Sequence, residues 1–187
     1  MDIEDKVKRE IEEILKGSPV PNDTIHSQST LKWLLVLKPN ADRALQIAAL
    51  GHDIDRGVSK ITDKSLENME NYEQKRIEHS IRSAKAISDL LKKYNFEKKF
   101  IDKVYCLVER HETGGDEESD ILRDADSIAF FEYNIPIYFE RYGKERTLYK
   151  IRYMFNRVSD RAKNIIKTIK YHDKEINDLV KEALTKI

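Results

Sequence analysis

The chain has 187 residues, in which 34 Lys and Arg balance 34 Asp and Glu, with five His and one Cys. That length is most simply one domain with a core that needs no staples, the charge balance leaves no net field drawing the whole chain to nucleic acid or an anionic membrane, and the lone Cys106 excludes an internal disulfide framework and fits a reducing compartment. There is no run of about 18 apolar residues to span a bilayer, and the charged start MDIEDKVKREIEEILKG is unlike a secretory signal, so a soluble, cytoplasmic protein is expected.

Only six Gly and four Pro punctuate the chain, and its apolar residues recur with a helical rather than an alternating period, so the expected fold is all-α. Ile3, Val7, Ile11, Ile14 and Leu15 line one stripe of a first helix over roughly 3–16. GSPVPND breaks it, and Asn22 or Asp23 can cap a second helix over roughly 23–37. Pro39 ends that helix, and Asn40 begins a short one running to about 53. A polar loop through RGVSKITD leads to a long helix over roughly 65–94. Further helices are expected at about 97–112, 117–141, 144–158 and 160–186, with Pro136 kinking one of them. No linker or repeat divides the chain, so 1–187 reads as a single domain.

Four of these helices each turn one imidazole to the apolar side. His26 leads the row His26, Thr30, Trp33, Leu34, Leu37, and His52 continues Ala41, Ala44, Leu45, Ala48. His79 shares a face with Ser83, Ala86, Ile87 and Leu90, and His111 ends the row Phe100, Val104, Leu107, Val108. A single inward histidine is ordinarily a satisfied core residue. A core has little reason to collect four, one of them joined to Asp53, unless they share a partner, and a metal ion is such a partner. Carboxylates extend the set. Asp124 and Asp126 in ILRDADSIAFF lie about 200° apart around a helix, so only one can face a shared site, and the apolar pattern does not choose between them.

Other features carry less. His172 falls on the row Ile165, Ile169, Ile176, Leu179 and reads as a core or interface histidine rather than a ligand. FFEYNIPIYFERYGKERTLYKIRYMFNR mixes nine aromatics with arginines; this mixture suits core packing, a homodimer surface or the stacking of a nucleobase. HETGGDEESD reads as a glycine-bearing turn before an acidic helix start, close enough to His111 to edge the site.

His26, the His52-Asp53 pair in GHDID and Asp126 in RDAD resemble the H…HD…D signature of the HD-domain metal-dependent phosphohydrolase superfamily, over roughly 23–131. His79 in RIEHSIRSA and His111 in LVERHETGG resemble the two additional histidines of its two-metal subgroups. The family's last aspartate lies in an AD pair, which points to Asp126. The resemblance implies an HD-type helical bundle with the metal site in its core and the helices of 144–186 packed on the 23–131 motif region. Two positions depart from it. Asp55 and Arg56 stand where HDIGK subgroups have Gly and Lys, and Ser127 stands where DADRLD subgroups have Arg.

The chemistry implied is hydrolysis. A divalent cation lowers the pKa of water toward about 7 and leaves hydroxide available to attack phosphorus near neutral pH. Mixed imidazole and carboxylate donors suit Mn, Fe, Ni, Co or Zn better than Mg. On the resemblance, one ion takes His26, His52, Asp53 and Asp126, and a second takes His79, His111 and the other oxygen of Asp53. In the alternative, one ion suffices and His79 and His111 serve substrate or proton transfer. Asp53, His79 and His111 thus form the expected catalytic set, and Arg56 and Arg82, each three residues beyond a ligand, are expected to hold the phosphate. The expected partner is a small phosphoester or a nucleotide-like phosphoanhydride. Two other classes fit the same residues: a diiron oxygenase on this scaffold, and a non-catalytic module that binds a nucleotide or partner through an intact metal core.

Overall fold

The computed structural model describes residues 2–60 and 72–185. Among them all regular structure is helical, as the periodicity implies. In chain order these are α1 (Ile3–Lys16), α2 (Asp23–Leu37), α3 (Arg43–Gly51), α4 (Ile54–Ser59), α5 (Tyr72–Lys93), α6 (Lys98–Glu109) and α7 (Glu117–Ala129). A π-helical turn (Phe130–Asn134), α8 (Ile135–Asn156), α9 (Asp160–Ile166) and α10 (Lys174–Leu184) complete the series. No helix among the described residues is long and apolar enough to cross a membrane.

Local chemistry explains where these helices begin and end. In α1 the stripe residues Val7, Ile11 and Leu15 are buried, each contributing about 1.5–3 kcal/mol, and Glu4, Asp5 and Lys16 complement the helix dipole at its two ends. Asn22 occupies the N-cap position of α2 with φ 66°, but its side chain makes no capping bond; Asp23 accepts from Ser18 Oγ at 2.5 Å instead. The following helix starts at Arg43 rather than Asn40 because Asp42 Oδ1 accepts from Leu45 N at 3.0 Å and sets the first turn there.

Part of the polar loop expected through 56–63 is helical instead, since α4 runs to Ser59. Gly57 makes that helix possible: a Cβ there would lie 2.2 Å from the Ile14 carbonyl oxygen, so only glycine lets α4 rest on the end of α1. The rest of that loop from residue 61, and the first residues of the helix expected over 65–94, lie outside the described residues.

The second half departs further from a simple reading. Ahead of Pro136 the hydrogen-bond ladder shifts to the π register, which places the proline in the first turn of α8, where no N–H is required. The interruption expected between 141 and 144 falls at Gly143, whose φ of 74° suits glycine. The single helix expected over 160–186 is two, α9 and α10. Asp173 starts the second one by accepting from Glu175 N at 2.7 Å and Ile176 N at 3.2 Å. His172 consequently sits in the break and is exposed, so it is neither a core residue nor part of a helical row.

Packing places α3 at the centre. It meets α2, α6 and α7, while α2 packs most extensively on α7, α5 on α6 and α8 on α10. Small residues allow the close approach: Ala44, Ala48 and Ala49 are buried, and a Cβ on Gly51 would meet Ile87 Cδ1 at 2.8 Å. The buried faces join in one apolar cluster that runs from Val7 to Ala183.

Candidate metal centre

The C-terminus of α3 delivers the His-Asp pair. His52 caps the helix with its Nδ1 2.9 Å from Ala49 O, and Asp53 turns the chain into α4, so the two side chains leave a tight corner toward the same interior point. His26 comes from the first turn of α2, His79 from α5, Asp126 from α7, and His111 from just beyond α6, with its Nδ1 2.6 Å from Val108 O. These six side chains converge. His26 Nε2 lies 3.2 Å from His52 Nε2 and 3.1 Å from Asp126 Oδ1. Asp53 divides its carboxylate: Oδ2 is 3.8 Å from His26 Nε2 and 3.5 Å from His52 Nε2, whereas Oδ1 is 2.8 Å from His79 Nε2. Rings of His52 and His111 stand 5.2 Å apart, centre to centre, and those of His79 and His111 6.0 Å.

Two overlapping groups could therefore hold a metal ion, His26 with His52 and Asp53, and Asp53 with His79 and His111. The donor chemistry fits a cation. His52 and His111 each face a backbone carbonyl with Nδ1, so a ring proton lies there and Nε2, the lone-pair nitrogen of the neutral ring, turns inward. The 3.2 Å between the Nε2 atoms of His26 and His52 is about the spacing of two imidazoles on one ion at bond lengths of about 2.0–2.1 Å. Five of the six groups are almost fully buried, and a buried cluster of lone pairs and carboxylates is costly without positive charge among them.

The surrounding charges show the same demand. Burial opposes ionisation of Asp53, yet Arg56, His52 and His79 hold its carboxyl well below the usual range. Burial likewise opposes charge on Asp126, and Arg157 with the two imidazoles overcomes it. Burial works against protonation of His52, but Asp53 and Asp126 beside it raise its pKa to about 9. At His111 burial together with the charge of His52 outweighs the pull of Asp53 and Asp126 and pushes the pKa down to about 3.

Asp124 and Asp126 separate as two positions on one helix should. Asp126 enters the centre, while Asp124 faces the other way and accepts from Ser159 N at 3.0 Å and from Ser159 Oγ at the start of α9. The two arginines expected to hold phosphate also part company. Arg56 lines a cleft beside the centre, contacting Asp53 and, at 3.2 Å, Asp23. Arg82 instead donates its Nε to Asp55 Oδ2 at 2.9 Å and is not part of the cleft wall.

Sequence reasoning missed a supporting ring. Asp55 receives His79 Nδ1 at 3.2 Å, Glu112 pairs with Arg76 and Arg157, and Arg157 also grips Asp126 Oδ2 and donates Nε to Ser127 Oγ at 3.0 Å. Glu112 had a signal, adjacency to His111. Arg157 had none, because it arrives at the end of α8, 31 residues after Asp126. The cleft encloses about 640 Å³ including its open mouth. Its wall joins His26, Asp53 and Asp126 to Arg141 and to Tyr138 and Tyr142 from the aromatic segment, whose rings lie 4.5 Å apart.

No curated protein and no solved structure matches the chain. A family model described as a domain of unknown function, DUF4202, matches residues 4–180 and so takes in every residue of the centre; the chain belongs to that family.

Proposed function

We propose that this protein is a metal-dependent phosphohydrolase of the HD-domain type, acting on a small phosphoester or a nucleotide-like phosphoanhydride. One observation carries the reading: Asp53 turns one carboxylate oxygen toward His26 and His52 and the other toward His79, at the floor of a cleft with arginines on its wall. His26, His52, Asp53 and Asp126 would hold one ion of the Mn, Fe, Ni, Co or Zn class, and Asp53, His79 and His111 a second. Bound there, such ions polarise phosphoryl oxygens and lower the pKa of water toward about 7.

The chain's own residues supply the rest. Arg157 holds Asp126 through Oδ2 and leaves Oδ1 directed at the imidazoles. Ala49 and Val108 fix the orientation of His52 and His111, so each neutral ring presents Nε2 without turning. Arg56 presents a planar guanidinium suited to a phosphoryl group on the wall next to Asp53. Tyr138 and Tyr142 give the same cleft an apolar side against which the remainder of a substrate can lie. The test is hydrolysis of a panel of aryl and nucleotide phosphates by protein reconstituted with Mn, Co or Ni. Turnover is expected, and His52→Ala or Asp53→Ala should abolish it. Folded, metal-loaded protein that remained inert across the panel would remove the reading.

A further inference from the structure

Each ring in the centre has to be held in one orientation, and the four are not held alike. His52 and His111 each lean on the carbonyl three residues before them, at points where a helix ends and such a carbonyl is available. His79 has no such option. It sits inside α5, where the backbone carbonyls are engaged in the helix ladder, and it is the most solvent-accessible of the six converging side chains. Its Nδ1 faces a side chain instead, Asp55 Oδ2 at 3.2 Å, while its Nε2 faces Asp53 Oδ1 at 2.8 Å.

Asp55 is built for that contact. It is buried on α4, one turn of chain beyond the His-Asp corner, and its backbone N donates to Ser83 Oγ at 3.3 Å, one turn along α5 from His79. The same Oδ2 that meets His79 receives Arg82 Nε at 2.9 Å, so the carboxylate is held from a second side while Ser83 holds its backbone. A neutral imidazole that gives its Nδ1 proton to a carboxylate has its lone pair on Nε2, and the contact also raises the ring's donor strength.

We infer that Asp55 is the positioning residue for His79 and thereby decides whether the ion position formed by Asp53, His79 and His111 is occupied. The inference rests on the proposed metal centre. Asp55 contributes nothing to the position formed by His26, His52, Asp53 and Asp126, so its loss acts on one ion and not on the other. Arg82 follows as the clamp on Asp55, which accounts for its absence from the cleft wall.

Titration with Co²⁺ alone, followed by the visible absorption of the bound ion and by ions counted per chain, tests this on the metal-free full chain. The wild type should take up two ions. Asp55→Ala should keep one at wild-type affinity and bind the other 10–100-fold more weakly, matching the site lost in His79→Ala. Asp55→Asn, which retains an oxygen acceptor for Nδ1 in a nearly identical volume, should fall between the two; far-UV circular dichroism establishes that each variant is folded. Identical isotherms for wild type and Asp55→Ala overturn the inference, as does equal weakening of both ions. A wild type that takes one ion, unchanged in His79→Ala, overturns it while leaving a mononuclear hydrolase. A wild type that takes none overturns the proposed function and this inference together.

Discussion

Asp124 and Asp126 are chemically identical and two positions apart, yet their substitutions should fail differently. Asp126 accepts from Arg157 and faces His26 and His52, so Asp126→Asn removes a proposed ligand and half of a buried ion pair. Asp124 holds the N-terminus of α9 through Ser159, and removing an acceptor of that kind costs about 1–3 kcal/mol. Asp124→Asn should therefore lower the urea midpoint while leaving the number of bound ions unchanged, and Asp126→Asn should reduce bound metal. Elemental analysis beside a denaturation curve separates the two. In the sequence both aspartates flank apolar residues, so periodicity does not distinguish them; Ser159 and Arg157, which settle their roles, lie more than thirty positions downstream.

At the level of elements, the π-helical turn is tied to α2 by one carboxylate. Glu132 accepts from Ser29 Oγ at 2.7 Å, Trp33 Nε1 at 2.8 Å and Lys32 Nζ at 2.6 Å, which holds the start of α8 and its cleft-lining tyrosines against the helix that carries His26. Burial raises the Glu132 pKa, but these three donors outweigh it and leave the value below the usual 4.5. A carboxyl with a depressed folded pKa contributes stability above its unfolded value and loses it as the pH falls through the folded one. Glu132→Gln should thus destabilise by about 1–2 kcal/mol at pH 7, and the difference from wild type should shrink once the pH drops below 4.5. Urea titrations of both proteins at a series of pH values measure it; a constant difference across that range would show that the anchoring is not ionic. The run that contains Glu132 reads as aromatic packing in the sequence, and neither the π register nor the three donors on α2 has a local signature.

For the whole molecule, a centre assembled from four helices and the chain just beyond α6 would make metal binding a folding interaction. An unfolded chain cannot bring His26 and Asp126 together, so any ion held there favours the native state by about 2.7 kcal/mol at a hundred times its dissociation constant. Mn or Co should raise the melting temperature of chelator-treated protein, Mg should do so less because its preference is for oxygen donors, and His52→Ala should remove most of the gain. Differential scanning calorimetry at several metal concentrations gives the result directly. By itself the sequence determined the helical class, the apolar stripe of α1 and the inward placement of four imidazoles, because period and residue type are properties of short stretches of chain. It also marked the small-residue run that brings α3 against its neighbours, where Gly51 meets Ile87. Only the tertiary structure decided that α4 replaces part of the polar loop, that Arg82 meets Asp55, and that Arg157 reaches back to Asp126. Those outcomes depend on how separate helices are set against one another, and distance in space between residues remote in sequence is not written in any local pattern.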